Sequence, residues 1–352
     1  MKKTILITGG AGFVGGNLAI RLKQAGHTVV VFDNLVRRGS EFNLEQFFIH
    51  EIPFVHGDIR NVEDFKKLTM TPDVVLECAA QPTAIDGFDN PMFDLTNNMY
   101  GLVNVLEFCR TSGAGLIFWN SNKAYSGDLC NSVPTIETDT RLTWVDEGEF
   151  SLRGWSNNGF SHELDVNGGG HTIYGASKLA ADMLCQEWAT AFDIPVIINR
   201  FSCLYGPGQF GKVSQGWVTW FIIAKEFGLP LVYCGFNGKQ VRDYLHIDDV
   251  FTLIMKQINS IEQHRGSYYN VGGGINATIS ICELNEQLNK LMNTSTEIRI
   301  DTPRRFDQKI YISDITHVCH DFDWKPTVQL DDGLLQTIMW VKANRTRLKQ
   351  LL

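Results

Sequence analysis

A glycine-rich turn directly after the first predicted strand constrains the fold more than any other feature. The run Thr4–Thr8 is followed by Gly9-Gly10-Ala11-Gly12-Phe13-Val14-Gly15, which has the spacing G-x-x-G-x-x-G. Gly9 permits a tight strand-to-helix turn, Gly12 lets the backbone approach a pyrophosphate, and Gly15 allows the helix to pack closely on the strand. The helix N-terminus then offers free N–H groups to the anion. This turn therefore predicts an α/β fold that binds a dinucleotide.

Apolar runs alternate with longer amphipathic stretches through the first half of the chain. The short β-branched runs predict strands at Thr4–Thr8, Thr28–Phe32, Phe54–His56, Val74–Ala79, Leu116–Asn120 and Val196–Phe201. Between them, apolar residues three or four positions apart predict helices that include Val14–Gln24, Thr96–Thr111 and Tyr174–Ala191. Strands that alternate with helices are typical of a doubly wound parallel sheet of the Rossmann type.

The alternation stops after Phe201, where a loop-rich and aromatic-rich region begins. It returns briefly over 241–270, and the tail from Ile281 is helical and mixed. We therefore expect residues 1–203 and 241–272 to form the dinucleotide-binding domain. Residues 204–240 and 273–352 are expected to form a smaller, mixed α/β lobe that binds the substrate.

Composition excludes several classes of protein. A hydrophobic fraction of 44% and a net charge of -8 indicate a globular protein and argue against a nucleic-acid partner. No apolar run approaches the ~18 residues that cross a membrane. The eight cysteines are scattered without a C-x-x-C pair, which predicts reduced thiols and no metal site. We expect a cytoplasmic enzyme.

The end of the second predicted strand indicates which dinucleotide binds. Asp33 lies 18 residues beyond Gly15, where a carboxylate accepts hydrogen bonds from both ribose hydroxyls and repels a 2′-phosphate. NAD is therefore favoured over NADP, although the nearby Arg37 and Arg38 weaken the preference. The alternative is an ordinary glycine turn followed by an Asp that caps a loop.

Asp58 follows the third predicted strand and allows two interpretations. Its carboxylate could accept a hydrogen bond from the adenine amino group, or it could cap a helix that starts at Val62.

Three polar residues predict the chemistry. Tyr174 and Lys178 form Y-x-x-x-K at the start of a predicted helix, so both side chains share one face. An ammonium near a phenol favours the phenolate, which can exchange a proton with a hydroxyl. Ser121 follows the fifth predicted strand, at the sheet edge where open α/β folds bind ligands. A Tyr and a Lys at the surface are the alternative for the pair alone, but its order after Ser121 and the glycine turn favours a catalytic site.

The chain resembles the extended short-chain dehydrogenase/reductase family of sugar-nucleotide epimerases and dehydratases. The resemblance spans nearly the whole sequence and is carried by TGGAGFVG at 8–15, DNL at 33–35, GDIR at 57–60, AAQ at 79–81, YGASK at 174–178 and NRFSCLYGPGQ at 199–209. Further stretches resemble members that act at C2 of a CDP-linked hexose, namely 121–123, 215–221, 238–243 and 304–308.

The resemblance implies an NAD-dependent epimerase of a nucleotide-linked sugar that works in surface-polysaccharide biosynthesis as a homodimer or homotetramer. The implied catalytic residues are Ser121, Tyr174 and Lys178. The implied cofactor-binding residues are Gly9, Gly12, Phe13, Val14, Gly15, Asp33, Asn34, Asp58, Ile59, Ala79, Ala80, Gln81, Asn98, Tyr174 and Lys178. The implied substrate-binding residues are Asn122, Lys123, Gln209, Trp217, Arg242 and Arg304.

Several of these substrate residues have a second interpretation. A guanidinium fork matches the oxygens of a diphosphate, but Arg242 and Arg304 could instead form ion pairs, for example with Asp243 or Asp307. Trp217 could line a base or sugar, or it could belong to a hydrophobic core.

The sequence also departs from the family pattern. Asn120-Ser121 replaces the usual pair of hydroxyl residues, the turn Ala124–Gly127 has one extra residue, and the segment 150–172 is long. These departures bear on the sugar. A 4,6-dehydratase would need an acid/base pair where Asn122 and Lys123 stand, while a 4-epimerase and a catalytically silent NAD-binding regulator remain alternatives.

Overall fold

The computed structural model describes residues 1–352 and contains five sheets. Its strands are β1 (Thr4–Thr8), β2 (Thr28–Asp33), β3 (Phe54–His56), β4 (Val74–Glu77), β5 (Gly115–Ser121), β6 (Thr135–Glu137), β7 (Leu142–Trp144), β8 (Trp155–Ser156), β9 (Gly159–Phe160), β10 (Val196–Phe201), β11 (Cys203–Tyr205), β12 (Leu231–Cys234), β13 (Val241–His246), β14 (Ser267–Val271), β15 (Thr278–Ser280), β16 (Ile298–Asp301) and β17 (Ile310–Tyr311).

Helices follow most of these strands. The α-helices are α1 (Phe13–Gln24), α2 (Asn43–Ile49), α3 (Pro91–Leu95), α4 (Gly101–Ser112), α5 (Gly127–Asn131), α6 (Ile173–Phe192), α7 (Trp217–Phe227), α8 (Ile247–Ser260), α9 (Ile281–Met292), α10 (Thr316–Phe322), α11 (Leu330–Ala343) and α12 (Arg345–Lys349). The 3₁₀ turns are Ser40–Phe42, Val62–Lys67, Asp86–Phe88, Asn122–Ala124, Glu147–Glu149 and Phe236–Gly238, and Thr96–Tyr100 is a turn of π-helix.

The main sheet has seven parallel strands in the order β14-β10-β5-β4-β1-β2-β3. The strand order reverses between β1 and β4, which is where open α/β sheets bind ligands at the carboxyl ends of their strands. The predicted doubly wound sheet is confirmed. Its bounds shift slightly, because β5 runs on to Ser121 and the predicted helix Thr96–Thr111 begins as a π-turn.

Both faces of this sheet are covered by helices. Neighbouring residues of a strand point to opposite faces, so they belong to different cores. Ile5 packs in a core that includes Leu253 of α8, whereas Leu6 packs in a second core that includes Val105 of α4 and Ala181 of α6. Helix α6, which carries two of the predicted catalytic residues, is thus anchored on the sheet by apolar contacts.

A second, four-stranded sheet lies in the other part of the chain. It has the order β11-β13-β15, with β17 also paired to β13. The sequence analysis assigned residues 241–272 to the dinucleotide-binding domain. Strand β13 in this stretch belongs to the second sheet. Helix α8 and strand β14, which follow it, belong to the main core and the main sheet. The division into domains stays a proposal, with β13 as the element that links the two parts.

The long segment 150–172 before α6 packs in a small aromatic cluster with Trp144 and Tyr311. The rings of Trp144 and Phe160 meet edge to face at 5.3 Å, and Phe160 stacks on Tyr311 at 5.6 Å. Its last residues are fastened to the turn after β5, because Ser126 Oγ donates to the Gly169 carbonyl at 2.7 Å. The segment therefore connects the start of α6 to the end of β5.

None of the helices combines the length and the apolar character that a membrane-spanning helix requires.

Candidate active site

The glycine turn between β1 and α1 forms a cradle that only glycine permits. Gly9 has φ = +61°, and a Cβ there would lie 2.5 Å from the backbone nitrogen of Ala79. At Gly15 a Cβ would lie 2.6 Å from Gly10 Cα. Gly12 differs, because its nearest neighbour would be the Gly9 carbonyl oxygen at 3.2 Å and its open side faces a cavity.

This cavity, of about 350 Å³, runs along the carboxyl ends of the strands beside the glycine turn. Most of the predicted cofactor-binding residues line it, namely Gly9, Gly12, Phe13, Val14, Gly15, Asp33, Asn34, Ile59, Ala79, Ala80, Tyr174 and Lys178. The cradle, the helix N-terminus and a carboxylate at the far end fit a dinucleotide without a 2′-phosphate.

Asp33 is positioned for the ribose. Its Oδ2 accepts from the backbone N–H of Ala11 at 3.0 Å and its Oδ1 from that of Leu35 at 2.7 Å. A carboxylate oxygen accepts more than one hydrogen bond, so capacity is left for two hydroxyls. Arg37 and Arg38 do not pair with Asp33. They donate to the Phe210 carbonyl at 3.4 Å and the Gln350 carbonyl at 2.7 Å, respectively.

Three predicted cofactor residues support the cavity without lining it. Asp58 accepts from Asn34 Nδ2 at 2.9 Å and pairs with Arg60, which holds the pKa of Asp58 at about 2. The 3₁₀ helix that starts at Val62 is capped by Asn61 and not by Asp58. The structure thus gives Asp58 a role in orienting Asn34.

Gln81 and Asn98 form a similar support behind the catalytic helix. Asn98 Oδ1 accepts from the Gln81 backbone N–H at 2.9 Å, and Asn98 Nδ2 donates to Ser177 Oγ at 3.0 Å. This connection holds the loop after β4 against α6.

Ser121 and Tyr174 meet at the carboxyl end of β5. Tyr174 lies in the first turn of α6, whose cap is Thr172, and it lines the cavity together with Ser121. Burial raises the pKa of Tyr174 to about 12, and the nearby Ser121 hydroxyl opposes this rise. A hydroxyl and a phenol on one side of a cavity can share the oxygen of a substrate carbinol.

Lys178 lies one turn further along α6, on the same side of the sheet. Its Nζ donates to the Trp119 carbonyl at 2.9 Å and lies 5.0 Å from the centre of the Phe118 ring. Burial lowers the pKa of Lys178, and the carboxylate of Glu77 raises it.

Glu77 is a residue that the sequence analysis missed. It is the last residue of β4, is fully buried, pairs in register with Phe118 and accepts a hydrogen bond from the Thr8 hydroxyl. Burial raises the pKa of Glu77, while Thr8 and Lys178 lower it. A single acid at the end of an otherwise apolar strand was the only signal in the sequence.

A second cavity, of about 410 Å³, opens on the other side of the catalytic residues. Ser121, Tyr174 and Trp217 line both cavities, so the two form one cleft with the catalytic pair at the junction. Of the predicted substrate residues, those that line the second cavity are Lys123, Trp217, Arg242 and Arg304. Gln209 lines the first cavity, and Asn122 is buried and lines neither.

A half-buried carboxylate organises the cations of the second cavity. Asp307 accepts from Lys123 Nζ at 3.0 Å and from Arg242 Nη2 at 2.9 Å. These cations lower the pKa of Asp307 far enough to outweigh its burial. Arg304 instead donates to the Val213 carbonyl at 2.9 Å. One carboxylate therefore faces three cations, namely Lys123, Arg242 and Arg304. The net charge of these side chains is positive, which suits a diphosphate.

Comparison with known proteins agrees with this geometry. The model of the NAD dependent epimerase/dehydratase family matches residues 5–146 and 158–272. The chain is 35% identical to the CDP-paratose 2-epimerase of Salmonella typhi over 351 residues, which cover 96% of this chain and 99% of that protein.

Solved structures show the same fold. An epimerase from Methanothermobacter thermautotrophicus is 25% identical with a TM-score of 0.80, covering 99% of this chain and 95% of the other. The UDP-glucose 4-epimerase of Thermus thermophilus, solved in complex with NAD, is 23% identical with a TM-score of 0.75, covering 96% and 99%. With the glycine cradle, the carboxylate of β2 and the Ser-Tyr-Lys group in place, the chain belongs to the NAD-dependent epimerase/dehydratase family, and its cofactor is NAD.

Proposed function

We propose that this enzyme inverts C2 of a CDP-linked hexose through transient oxidation of the C2 carbinol. The observation that carries the proposal is the junction of the cleft. Ser121 and Tyr174 line both cavities, so a sugar in the second cavity presents a carbinol to the first. The similarity to a CDP-paratose 2-epimerase supports the choice of nucleotide and carbon.

Ser121, Tyr174 and Lys178 have different roles in the proposed reaction. Ser121 orients the reacting hydroxyl, and Tyr174 takes its proton and later returns it. Bound NAD supplies the chemistry of hydride acceptance and return. Lys178 places a positive charge behind the phenol and thereby favours the phenolate. The ketone turns over within the site, so that hydride returns to its opposite face and C2 is inverted. Because proton and hydride both return, the reaction leaves the enzyme unchanged after each cycle.

The residues next to Ser121 favour an epimerase over a dehydratase. Asn122 is buried and Lys123 is bound to Asp307, so the turn after β5 provides no carboxylate that could act as an acid/base pair on carbon. Arg242 and Arg304 are proposed to hold the diphosphate at the wall of the second cavity.

Assembly and location are parts of the same proposal. We expect a homodimer or homotetramer in the cytoplasm, and the eight cysteines, all free, are consistent with a reducing compartment.

Turnover in D2O tests the proposal. The enzyme is incubated with CDP-paratose, CDP-glucose and the corresponding UDP-sugars, and the products are identified by NMR. We expect inversion at C2 of a CDP-sugar without deuterium at that carbon, because a hydride on nicotinamide does not exchange with water. In H2O, substrate deuterated at C2 should keep its label.

Other results would contradict the proposal in different ways. Deuterium at C2 would show that C2 is deprotonated next to a ketone at another carbon. Inversion at C4 would identify a 4-epimerase, and loss of water would identify a dehydratase. Binding of NAD without conversion of any of these sugars would favour a regulatory protein.

A further inference from the structure

The helical face that carries Tyr174 and Lys178 continues to a buried carboxylate. Asp182 follows Lys178 by four residues, as Lys178 follows Tyr174, so the three side chains lie on one face of α6. Asp182 is fully buried and lines neither cavity of the cleft. Its carboxylate therefore acts on other residues of the chain and not on a ligand.

Hydrogen bonds hold both oxygens of the Asp182 carboxylate. Its Oδ2 accepts from Asn120 Nδ2 at 2.5 Å and from Arg200 Nε at 2.8 Å. Its Oδ1 accepts from Gln186 Nε2 at 2.6 Å and from Arg200 Nη2 at 3.1 Å. Since a carboxylate has about four acceptor sites, Asp182 is saturated and each of its donors is fixed in place.

Asn120 connects this carboxylate to the catalytic serine. It pairs in register with Arg200, so both side chains point to the face of the sheet on which α6 packs. Because Nδ2 of Asn120 donates to Asp182, its carbonyl Oδ1 is turned to the backbone N–H of Ser121 and accepts from it at 2.9 Å. Asp182 thus holds the last residue of β5 through a single side chain.

The other end of this chain of hydrogen bonds reaches the segment 150–172. Arg200 Nη1 donates to Tyr125 Oη at 2.7 Å, and Tyr125 Oη donates to Asn270 Oδ1 at 2.8 Å. Asn270 Nδ2 then donates to the Phe160 carbonyl at 2.8 Å. No member is more than 4% exposed in this buried network, which comprises Asn120, Asp182, Arg200, Tyr125 and Asn270.

Stability alone does not explain the ion pair at the centre of the buried network. A buried ion pair can often be replaced by apolar residues without loss of stability, because taking charges out of water is costly. A network in which every member is bonded does, however, fix one geometry. Here the group that is fixed is Ser121, whose hydroxyl has to stay beside the phenol of Tyr174.

We infer that Asn120 and Asp182 are positioning residues for Ser121, and that the buried network couples the position of Ser121 to Phe160 in the segment 150–172. The inference rests on the proposed function for the catalytic role of Ser121. Loss of a bond in the network should lower kcat and leave the binding of NAD and of the nucleotide sugar nearly unchanged.

Hydrogen exchange of the Ser121 amide in the NAD-loaded enzyme tests the inference without any substrate. Asn120→Ala removes the acceptor of this amide, and we expect about tenfold faster exchange because one buried hydrogen bond is lost. Tyr125→Phe removes one hydroxyl further along the network and keeps the ring, so it should accelerate the same amide by a smaller factor. Unaltered exchange in Asn120→Ala overturns the inference, and unaltered exchange in Tyr125→Phe overturns the coupling to Phe160.

Kinetics separate positioning from a contribution to stability. Asn120→Ala should lower kcat by about 10- to 100-fold, since misplacing a reacting group by about 1 Å costs on the order of a hundredfold. The KM for the nucleotide sugar and the NAD content should stay nearly unchanged. If Asn120→Ala does not retain NAD, Tyr125→Phe decides by the same measurements.

Asn199→Ala is the matched control. Asn199 precedes Arg200 on β10 and points to the opposite face of the sheet. It exchanges two buried hydrogen bonds with Gln257, at 2.8 and 2.9 Å. We expect Asn199→Ala to lower the melting temperature as Asn120→Ala does, and to leave kcat unaltered. Equal kcat values in the two variants would contradict a positioning role for Asn120.

A double-mutant cycle shows whether Asn120 acts through Ser121. Ser121→Ala should lower kcat, and the addition of Asn120→Ala should lower it no further, because the group that Asn120 positions is already gone. Two effects that multiply in the double variant would refute the inference.

The outcomes separate this inference from the proposed function. Inversion of a CDP-sugar with unaltered kcat in Asn120→Ala would retain the function and refute the role of Asn120. If none of the nucleotide sugars is converted, the function is refuted, and the exchange of the Ser121 amide alone decides about the buried network.

Discussion

The burial of single side chains decides how the catalytic group works. Tyr174 has a pKa of about 12 because burial disfavours the phenolate, and the nearby Ser121 hydroxyl compensates only in part. At neutral pH the phenol therefore keeps its proton until a positive charge lies beside it. The ammonium of Lys178 and an oxidised nicotinamide would both act in that direction.

Replacing Tyr174 by Phe keeps the ring and removes the proton carrier. We expect the Tyr174→Phe variant to lose about two to four powers of ten in turnover, which is the usual contribution of a general acid or base. Bound NAD should remain, as measured from the absorbance of the released cofactor. Turnover close to that of the unaltered enzyme would mean that another group moves the proton.

Glu77 should influence the pH dependence through Lys178. Its carboxylate raises the pKa of Lys178, so Glu77→Gln should lower that pKa and allow the ammonium to lose its proton at lower pH. Because the ammonium form assists Tyr174, the alkaline limb of the kcat profile should move to lower pH in the variant. The profile is measured between pH 6 and 10 (about the range that matters for a lysine shifted by burial) on NAD-loaded protein. An unshifted alkaline limb would show that Lys178 does not control this step.

At the scale of structural elements, two glycines of the turn between β1 and α1 have different roles, one in folding and one in cofactor binding. Gly9→Ala should destabilise the fold itself, because φ is +61° and the added Cβ would lie 2.5 Å from Ala79. Gly12→Ala meets only one backbone oxygen at 3.2 Å, so the NAD-free fold should tolerate it while the pyrophosphate is kept out. Thermal unfolding and NAD content measure the two effects. If Gly12→Ala still copurifies with NAD, the pyrophosphate does not approach this turn.

The first turn of α6 is held against the turn after β5. A Cβ on Gly175 would lie 2.3 Å from the Lys123 carbonyl oxygen, so Gly175→Ala should push Tyr174 away from Ser121. Misplacement of reacting groups by about 1 Å costs on the order of a hundredfold, and we expect a fall of this size in kcat. Gly169→Ala is the matched control in the preceding loop, since nothing lies within 4 Å of its Cβ. Similar activities for the two variants would show that this contact does not position the tyrosine.

At the scale of the whole molecule, Arg37 connects the loop after β2 with the segment 210–215 beside the cofactor cavity. The loop after β2 carries Arg37, which donates to the side chain of Gln215 and to the carbonyl of Phe210. All three residues line the first cavity, so the bridge closes one side of it. The neighbouring Arg38 only reaches the Gln350 carbonyl near the C-terminus.

This bridge should slow the release of NAD. We expect Arg37→Ala to release NAD about tenfold faster, because one or two hydrogen bonds of ordinary strength are lost. Arg38→Ala should release it at the unaltered rate. Exchange of bound NAD for a labelled cofactor measures both rates. Equal rates in the two variants would show that the bridge does not retain the cofactor.

Much of the fold and of the catalytic group was determined by local sequence. The 3.6-residue and two-residue periodicities fix α1, α6 and the core strands, because a wrong period would expose their apolar faces. Gly9 and Gly15 were identifiable because their backbone geometry or close packing admits no side chain. The spacing of Tyr174 and Lys178 was equally direct, since four residues make one helical turn.

Tertiary structure decided everything that depends on contacts between distant segments. Glu77 became a partner of Lys178 only because β4 lies beside β5 and α6 packs on β5. Asp307 became the link between Lys123 and Arg242 only once β13 packed against the segment that contains Asp307. Local periodicity carries no information about such pairings, because they depend on burial and on which charges the fold brings within a few ångströms.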